Sequence, residues 1–187
     1  QQKDFSEDIS AIRNNKAEGI ILVTNVPEGV VVLDEIAKQE LTKLPIISHW
    51  GIASGQFASA LANPIGMYDI SVLQTFHFSH QKNSQSKQLL EAYYNKYGLV
   101  DSQAIGGVTG LAHAYDLIHL IAAAADKAGS IEIDKLRSAL ESLQNVSGAV
   151  KHYDAPFTKE RHDALWSKDY FMTKYNDKGH LVTIGQK

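Results

Sequence analysis

Two short, uninterrupted apolar runs constrain the fold more than any other feature of this chain. Residues 20–23 (Ile-Ile-Leu-Val) and 45–47 (Pro-Ile-Ile) lack the polar–apolar alternation of a half-buried strand. Such runs are typical of strands covered on both faces, as in a parallel sheet. A helical pattern beginning at Asp4 precedes the first run, and Pro27 begins another helix after it. The sequence therefore predicts an α/β fold with a parallel sheet flanked by helices.

The rest of the chain continues with one more strand, then helices, then a hairpin. We expect a short helix capped by Ser54, a strand over residues 68–76, and helices over 84–97 and 104–128. Asp134 is predicted to cap a further helix. Alternating residues in 169–175 and 180–184 flank an Asn-Asp-Lys-Gly turn and predict a β-hairpin.

Composition excludes several functional classes. The chain has 187 residues, 18 basic and 21 acidic, for a net charge of −3, so we expect no nucleic acid partner. It contains no cysteine, which excludes disulfides, thiolate metal sites and cysteine nucleophiles. No apolar run approaches the roughly 20 residues of a membrane-spanning helix.

Histidine is frequent, with eight residues, so a metal site has to be considered. The one plausible group of metal ligands surrounds Pro156. We favour an ordinary solvent-exposed loop there over a weak zinc site. We predict no metal and no cofactor. The grouping consists of His152, Asp154, Glu160, His162 and Asp163.

Candidate binding residues follow three predicted strands. In an open parallel sheet, ligands bind beyond the carboxyl ends of the strands. Helix N-termini after Pro27 and Ser54 would add donors for an anion, and Trp50 offers a flat apolar wall with one N–H donor. The alternative is that Trp50 and Phe76 simply cover the core of the sheet. The candidate ligand-binding residues are Asn25, Glu28, His49, Trp50, Gly51, Phe76 and His77.

Short motifs along nearly the whole chain resemble those of the periplasmic type I solute-binding proteins of ABC transporters, in the branched-chain amino acid and amide receptor family. Each motif alone is weak evidence for the family, but their order and spacing together are fairly specific. They are Asp4-Phe5-Ser6, Pro27-Glu28, Pro45-Ile46-Ile47 before a cleft loop His49-Trp50-Gly51, the helix ending at Tyr97-Gly98, Ala112-His113-Ala114-Tyr115-Asp116, Gly129-Ser130, Gly148 and the terminal hairpin.

The resemblance implies two lobes with a ligand trapped between them. Residues 1–76 and 166–187 resemble the C-terminal lobe, and 77–165 resemble the helical part of an N-terminal lobe whose opening βαβ units have no counterpart here. The hinge is then expected near Phe76-His77 and near Leu165-Trp166. Without the sheet that those βαβ units would form, the helices over 84–97 and 104–128 are expected to expose apolar surface. The implied partner is the missing N-terminal segment or a second copy of the chain.

The implied function is extracytoplasmic, in the periplasm: binding of a small-molecule ligand for delivery to an ABC permease, without catalysis. Amino-acid binders of this family place an acidic residue where this chain has Trp50. An amide, urea-like, aromatic or carboxylate compound is therefore expected ahead of an amino acid, which stays an alternative ligand. A sensor domain signalling to a histidine kinase is the alternative, and a Rossmann-like enzyme is less favoured because no Gly-rich βα turn is present.

Overall fold

The computed structural model describes residues 4–53 and 56–185, so the predicted cap Ser54 lies outside the described residues. Four short 3₁₀ helices accompany six α-helices and seven strands in these ranges. The 3₁₀ helices are Trp50–Ile52, Ile65–Met67, Ser102–Ala104 and Ser167–Asp169. The α-helices are α1 Ser6–Asn14, α2 Val26–Lys38, α3 Phe57–Ala60, α4 Ser84–Tyr97, α5 Val108–Ala128 and α6 Ile133–Glu141. The strands are β1 Ile20–Leu22, β2 Ile46–Ser48, β3 Ile70–Gln74, β4 Val146–Ser147, β5 His152–Tyr153, β6 Phe171–Tyr175 and β7 Leu181–Thr183.

The chain divides into two compact units. Unit 1 contains the described residues up to Gln74, residues 101–107 and those from Phe171 onward. Unit 2 contains residues 75–100 and 108–170. The lobe boundaries inferred from the sequence, at residues 76 and 165, stay a prediction.

Unit 1 is built on a five-stranded sheet in the order β1-β2-β3-β6-β7. The first three strands are parallel, with Ile20 opposite Ile46 and Ile46 opposite Ile70. Strands β6 and β7 are antiparallel and form the predicted hairpin, which confirms that part of the analysis. The α/β fold expected from the sequence is thus present, as a mixed sheet whose first three strands are parallel, with helices packed on it.

The helices of unit 1 cover one face of this sheet. Ile9 of α1 and Leu33 and Ile36 of α2 pack with Leu22 and Ile46 in one buried core. The prediction that the strands are covered on both faces is wrong for this chain, because Ile21 is 83% exposed and Ile47 is 52% exposed. Both side chains lie on the face opposite to the core, as the alternation along a strand requires.

Two predicted helix starts are wrong by a few residues. Helix α5 begins at Val108 rather than residue 104, after Gly107, whose φ of +65° is a left-handed conformation that interrupts a helix. Helix α6 is capped by Glu132 rather than Asp134, since the Glu132 carboxylate accepts a bond from the Asp134 amide.

Unit 2 is organised around a buried carboxylate on α5. Asp116 accepts hydrogen bonds from the backbone amides of Ala149 at 2.5 Å and Val150 at 2.9 Å, and from the Tyr153 hydroxyl at 2.8 Å. Burial raises the pKa of Asp116, and these three bonds oppose that effect. Gly148 lies so close to Asp116 that a Cβ added to this glycine would be 2.3 Å from a carboxylate oxygen of Asp116. The β4–β5 turn is therefore fixed to α5 by one side chain.

Helix α5 is long and apolar enough, by length and composition alone, to cross a membrane. The sequence did not predict such a helix, because polar residues interrupt its apolar residues. The buried, multiply bonded Asp116 in the middle of α5 is typical of a helix in a folded domain, since a carboxylate is costly in lipid. Leu117, Ile118 and Ile121 form an exposed apolar face on α5, as expected for this helix.

Replacement of Asp116 by Asn is expected to lower the free energy of unfolding by roughly 2–4 kcal/mol, because the new NH₂ group faces N–H and O–H donors. The exposed Asp126 on the same helix provides the control, and Asp126→Asn is expected to change stability by less than about 0.5 kcal/mol. Urea unfolding monitored by circular dichroism measures both. Equal, small effects would contradict a structural role for the buried carboxylate.

Candidate ligand-binding edge of the sheet

The first part of the candidate site is the N-terminus of α2, directly after β1. Asn25 is the N-cap residue, with extended backbone angles, but its side chain makes no capping hydrogen bond. Pro27 lies in the first turn and has no N–H, and Glu28 places a carboxylate close to the positive end of the helix dipole. Backbone amides of this turn are suited to a carboxylate or another polar acceptor.

The second part is the 3₁₀ helix that follows β2. His49 caps it, because the Gly51 amide donates to His49 Nδ1 at 2.5 Å. Since Nδ1 accepts this bond, neutral His49 carries its proton on Nε2, where it is a hydrogen-bond donor. The Trp50 ring lies 5.6 Å from the His49 ring, tilted by 55°, and Trp50 is 43% exposed. His49 and Trp50 thus form one aromatic surface with N–H donors.

The ends of β1 and β2 contact each other closely. Ser48 Oγ donates to the Leu22 carbonyl at 3.0 Å. A Cβ added to Gly51 would lie 2.2 Å from the Thr24 carbonyl oxygen, and one added to Gly29 would lie 2.8 Å from Ile52. The parallel register therefore brings the two segments that carry five of the predicted residues to one edge of the sheet. These residues are Asn25, Glu28, His49, Trp50 and Gly51.

A residue from the far end of the sequence supports this edge. The Tyr175 hydroxyl donates to the Ile52 carbonyl at 2.7 Å, and its ring lies 5.8 Å from Phe57. Burial raises the pKa of Tyr175. Sequence reasoning missed Tyr175 and Gly29, and it placed Thr24 at the end of the strand without counting it among the site residues. A glycine in the first turn of α2 was a signal of close packing, but nothing local connects Tyr175 with residue 52.

The remaining two predicted residues lie in unit 2 and are buried there. Phe76 packs edge-on against Phe78, with 4.9 Å between ring centres, and its carbonyl accepts a bond from Thr109 Oγ1 at 3.2 Å. His77 Nδ1 lies 2.6 Å from Ser79 Oγ. Their role in ligand binding stays a prediction.

The side chains at the strand ends are suited to recognising a ligand. They offer N–H donors, a flat apolar ring and one carboxylate, Glu28. Within residues 4–53 and 56–185, no group of three or more His, Asp or Glu side chains is placed to hold a metal ion. In the loop considered for zinc, His152 lies 3.5 Å from Asp154, whereas His162 contacts Glu141 at 3.1 Å.

Comparison with known families matches residues 1–180 to the family described as "Periplasmic binding protein". The chain belongs to this family. Its members are solute-binding receptors rather than enzymes, which agrees with the absence of catalysis expected from the sequence. No curated protein sequence shows a significant match to the chain.

Solved structures share the fold at low sequence identity. A leucine-binding protein from Thermotoga maritima has a TM-score of 0.79 at 18% identity, covering 97% of this chain and 48% of its own. A type 1 periplasmic binding protein from Bordetella pertussis has a TM-score of 0.81 at 16% identity, covering 98% of this chain and 50% of its own. A solute-binding protein of an ABC transporter from Rhodopseudomonas palustris, in complex with 3,4-dihydroxybenzoic acid, has a TM-score of 0.69 at 17% identity. The match covers 97% of this chain and 47% of the chain of that protein. The chain spans about half the length of these structures.

Gly51→Ala is expected to lower the free energy of unfolding by about 1–3 kcal/mol, because the new Cβ would overlap the Thr24 carbonyl, which is backbone and cannot turn away. Gly110 on α5 has nothing within 4 Å of an added Cβ, so Gly110→Ala is the control. That control is expected to leave stability unchanged or to raise it by up to about 1 kcal/mol. A Gly51→Ala protein as stable as the parent would show that the two strand ends do not approach this closely.

One buried and one half-buried histidine are expected to make stability depend on pH. Burial lowers the pKa of His77 and of His113, whose Nε2 lies 2.7 Å from Thr75 Oγ1. Because the folded pKa lies below the unfolded value of about 6.5, the unfolded chain takes up more protons, and stability present above pH 6.5 is lost as the pH falls below it.

The measurement is the urea midpoint at pH 7 and pH 5. His113→Gln removes one titrating group and is expected to reduce the difference between the two midpoints. His119→Gln, at an exposed position on the same helix, is the control and is expected to preserve the difference. A pH dependence unaffected by His113→Gln would assign the effect to other groups.

Proposed function

We propose that this chain is part of an extracytoplasmic solute-binding protein that binds a small polar ligand at the carboxyl ends of β1 and β2 and delivers it to an ABC permease. Membership of the periplasmic binding protein family supports the solute-binding role. The observation that carries the proposed site is the contact of the two strand ends, which gathers Asn25, Glu28, His49 and Trp50 at one edge.

Each group has a distinct part in the proposed recognition. The exposed Trp50 ring provides a stacking surface for a planar ligand. Neutral His49 offers its Nε2–H to a carbonyl or carboxylate oxygen, because Nδ1 is occupied by the Gly51 amide. The first turn of α2 adds backbone donors for the same kind of oxygen.

This set of groups favours an amide, urea-like, aromatic or carboxylate ligand over an α-amino acid. Donors outnumber acceptors, and the carboxylate of Glu28 is already stabilised by the N-terminus of α2. An ammonium group needs a charged or strong acceptor partner when it leaves water. The Rhodopseudomonas palustris relative was solved with an aromatic carboxylic acid, which is a ligand of this class.

The ligand class is tested by calorimetric titration of the intact protein with 3,4-dihydroxybenzoate, benzamide, urea and leucine, after native mass spectrometry has shown whether a ligand is retained. Binding of a planar carboxylate or amide, accompanied by a change in tryptophan fluorescence, is expected. Tight binding of leucine alone would contradict the proposed ligand class while keeping the solute-binding role.

Trp50→Ala is expected to weaken binding of whichever of these probes is bound by roughly 5–100-fold, through lost stacking and burial. Met67 has similar exposure, 40%, but precedes β3, at the opposite end of the parallel strands, so Met67→Ala is the matched control. The control is expected to bind as the parent does. Equal affinity of the parent and Trp50→Ala would remove the aromatic ring from the site.

A further inference from the structure

A single-turn 3₁₀ helix carries the aromatic ring of the candidate site. Trp50 is its first residue and Ile52 is its last, and the Ala53 amide closes the turn on the Trp50 carbonyl at 2.9 Å. One isolated turn forms few backbone hydrogen bonds and is not stable by itself. Its orientation, and with it the position of the Trp50 ring, therefore depends on contacts with the rest of unit 1.

Two of these contacts come from residues near the turn. His49 caps the start of the turn, because its Nδ1 accepts a hydrogen bond from the Gly51 amide. The Ile52 side chain is fully buried and lies close to Gly29 in α2. Burial of an apolar side chain is non-directional, so it does not by itself orient the peptide group at the end of the turn. A directional polar contact is needed for that.

Tyr175, the last residue of β6, supplies this directional contact. Its hydroxyl donates to the Ile52 carbonyl at 2.7 Å, although the two residues are 123 positions apart in the chain. Its ring lies 5.8 Å from the Phe57 ring and packs against the apolar core of unit 1. Burial raises the pKa of Tyr175, so the phenol is protonated at neutral pH and remains a donor.

The sheet holds Tyr175 in a defined place. Tyr175 is paired with Leu181 of β7. Thr173, two residues earlier on the same face of β6, is fully buried and donates through its hydroxyl to the Val72 carbonyl at 2.9 Å. Groups placed on strands are held more precisely than groups placed on loops. The Tyr175 hydroxyl therefore connects a loosely built turn to a rigid strand.

We propose that Tyr175 is a positioning residue of the candidate site, whose hydroxyl holds the 3₁₀ turn in the orientation that presents Trp50 to a ligand. The inference rests on the proposed function and deepens it, because Tyr175 acts through the turn. Binding groups need support from neighbouring hydrogen bonds to keep their productive geometry. A Trp50 ring that is free to tilt loses part of its stacking contact, so the ligand is held less tightly.

Two matched substitutions in the intact protein test this role. Tyr175→Phe removes the hydroxyl and keeps the ring, and Thr173→Val is the control. Each variant loses one hydrogen bond from a β6 side chain to a backbone carbonyl, but only the bond of Tyr175 reaches the turn. The chain has two tryptophans, so Trp50 is observed alone in a Trp166→Phe background. Fluorescence anisotropy decay and acrylamide quenching are measured without ligand, after circular dichroism has shown that each variant is folded.

Tyr175→Phe is expected to increase both the mobility of the Trp50 ring and its quenching by acrylamide. Thr173→Val is expected to leave both as they are in the parent. A purely structural role of Tyr175 would lower the stability of the two variants without changing Trp50. Unchanged Trp50 fluorescence in Tyr175→Phe, or equal changes in the two variants, would overturn the proposal.

Calorimetric titration with 3,4-dihydroxybenzoate and benzamide measures the consequence for binding. Tyr175→Phe is expected to weaken binding of the probe that the parent binds by roughly 2–10-fold, which corresponds to the loss of one hydrogen bond. Thr173→Val is expected to bind as the parent does. Equal affinity of Tyr175→Phe and the parent would overturn the proposal. If the parent binds neither probe, that result counts against the proposed ligand class, while Trp50 fluorescence still decides the role of Tyr175.

Discussion

The parallel register of β1, β2 and β3 is the constraint on which unit 1 depends. It aligns Ile20, Ile46 and Ile70 in one row and so brings the carboxyl ends of the strands to a common edge. The segments with polar and aromatic residues that follow β1 and β2 therefore lie at this common edge. The contact is so close that a Cβ at position 51 would overlap the Thr24 carbonyl. Any change that shifts the register by one residue would turn Leu22 and Ile46 away from the core and separate the candidate site at the same time.

Unit 2 has only a two-stranded sheet, β4-β5, and a buried carboxylate connects this sheet to α5. Asp116 satisfies two backbone amides and one phenol in a region where β4 and β5 contribute only two residues each. A buried charge of this kind is costly unless it is fully hydrogen-bonded, and here three donors meet it. Lys151 and Asp169 form a half-buried ion pair that attaches β5 to the 3₁₀ helix before β6. These polar contacts add to a small apolar core in which Leu120, Leu143 and Tyr153 are buried.

Family membership and ligand identity rest on different kinds of information in this protein. The fold is shared with a leucine-binding protein and with a protein solved in complex with 3,4-dihydroxybenzoic acid, at 17–18% identity, so the scaffold does not specify the ligand. The proposed ligand contacts of this chain include the short segment His49-Trp50-Gly51, in which the histidine caps the turn through one nitrogen and keeps the other as a donor. A proposal about the ligand therefore has to rest on these few side chains.

The sequence by itself determined the alternation of strands and helices, the hairpin at the end of the chain and the five residues of unit 1 that gather at the strand ends. These follow from local patterns: apolar runs for strands, proline and glycine for boundaries, and the rule that parallel strand ends share an edge. The start of α5 and the cap of α6 were missed because a left-handed Gly107 and the choice between Glu132 and Asp134 depend on how the flanking loops close. Only the tertiary structure decided that α1 and α2 share one face and leave Ile21 and Ile47 exposed, since an apolar run looks the same whether one face is covered or two. Only the tertiary structure joined Tyr175 to Ile52 and Asp116 to the β4–β5 turn, because contacts between residues far apart in the chain leave no periodic pattern in the sequence.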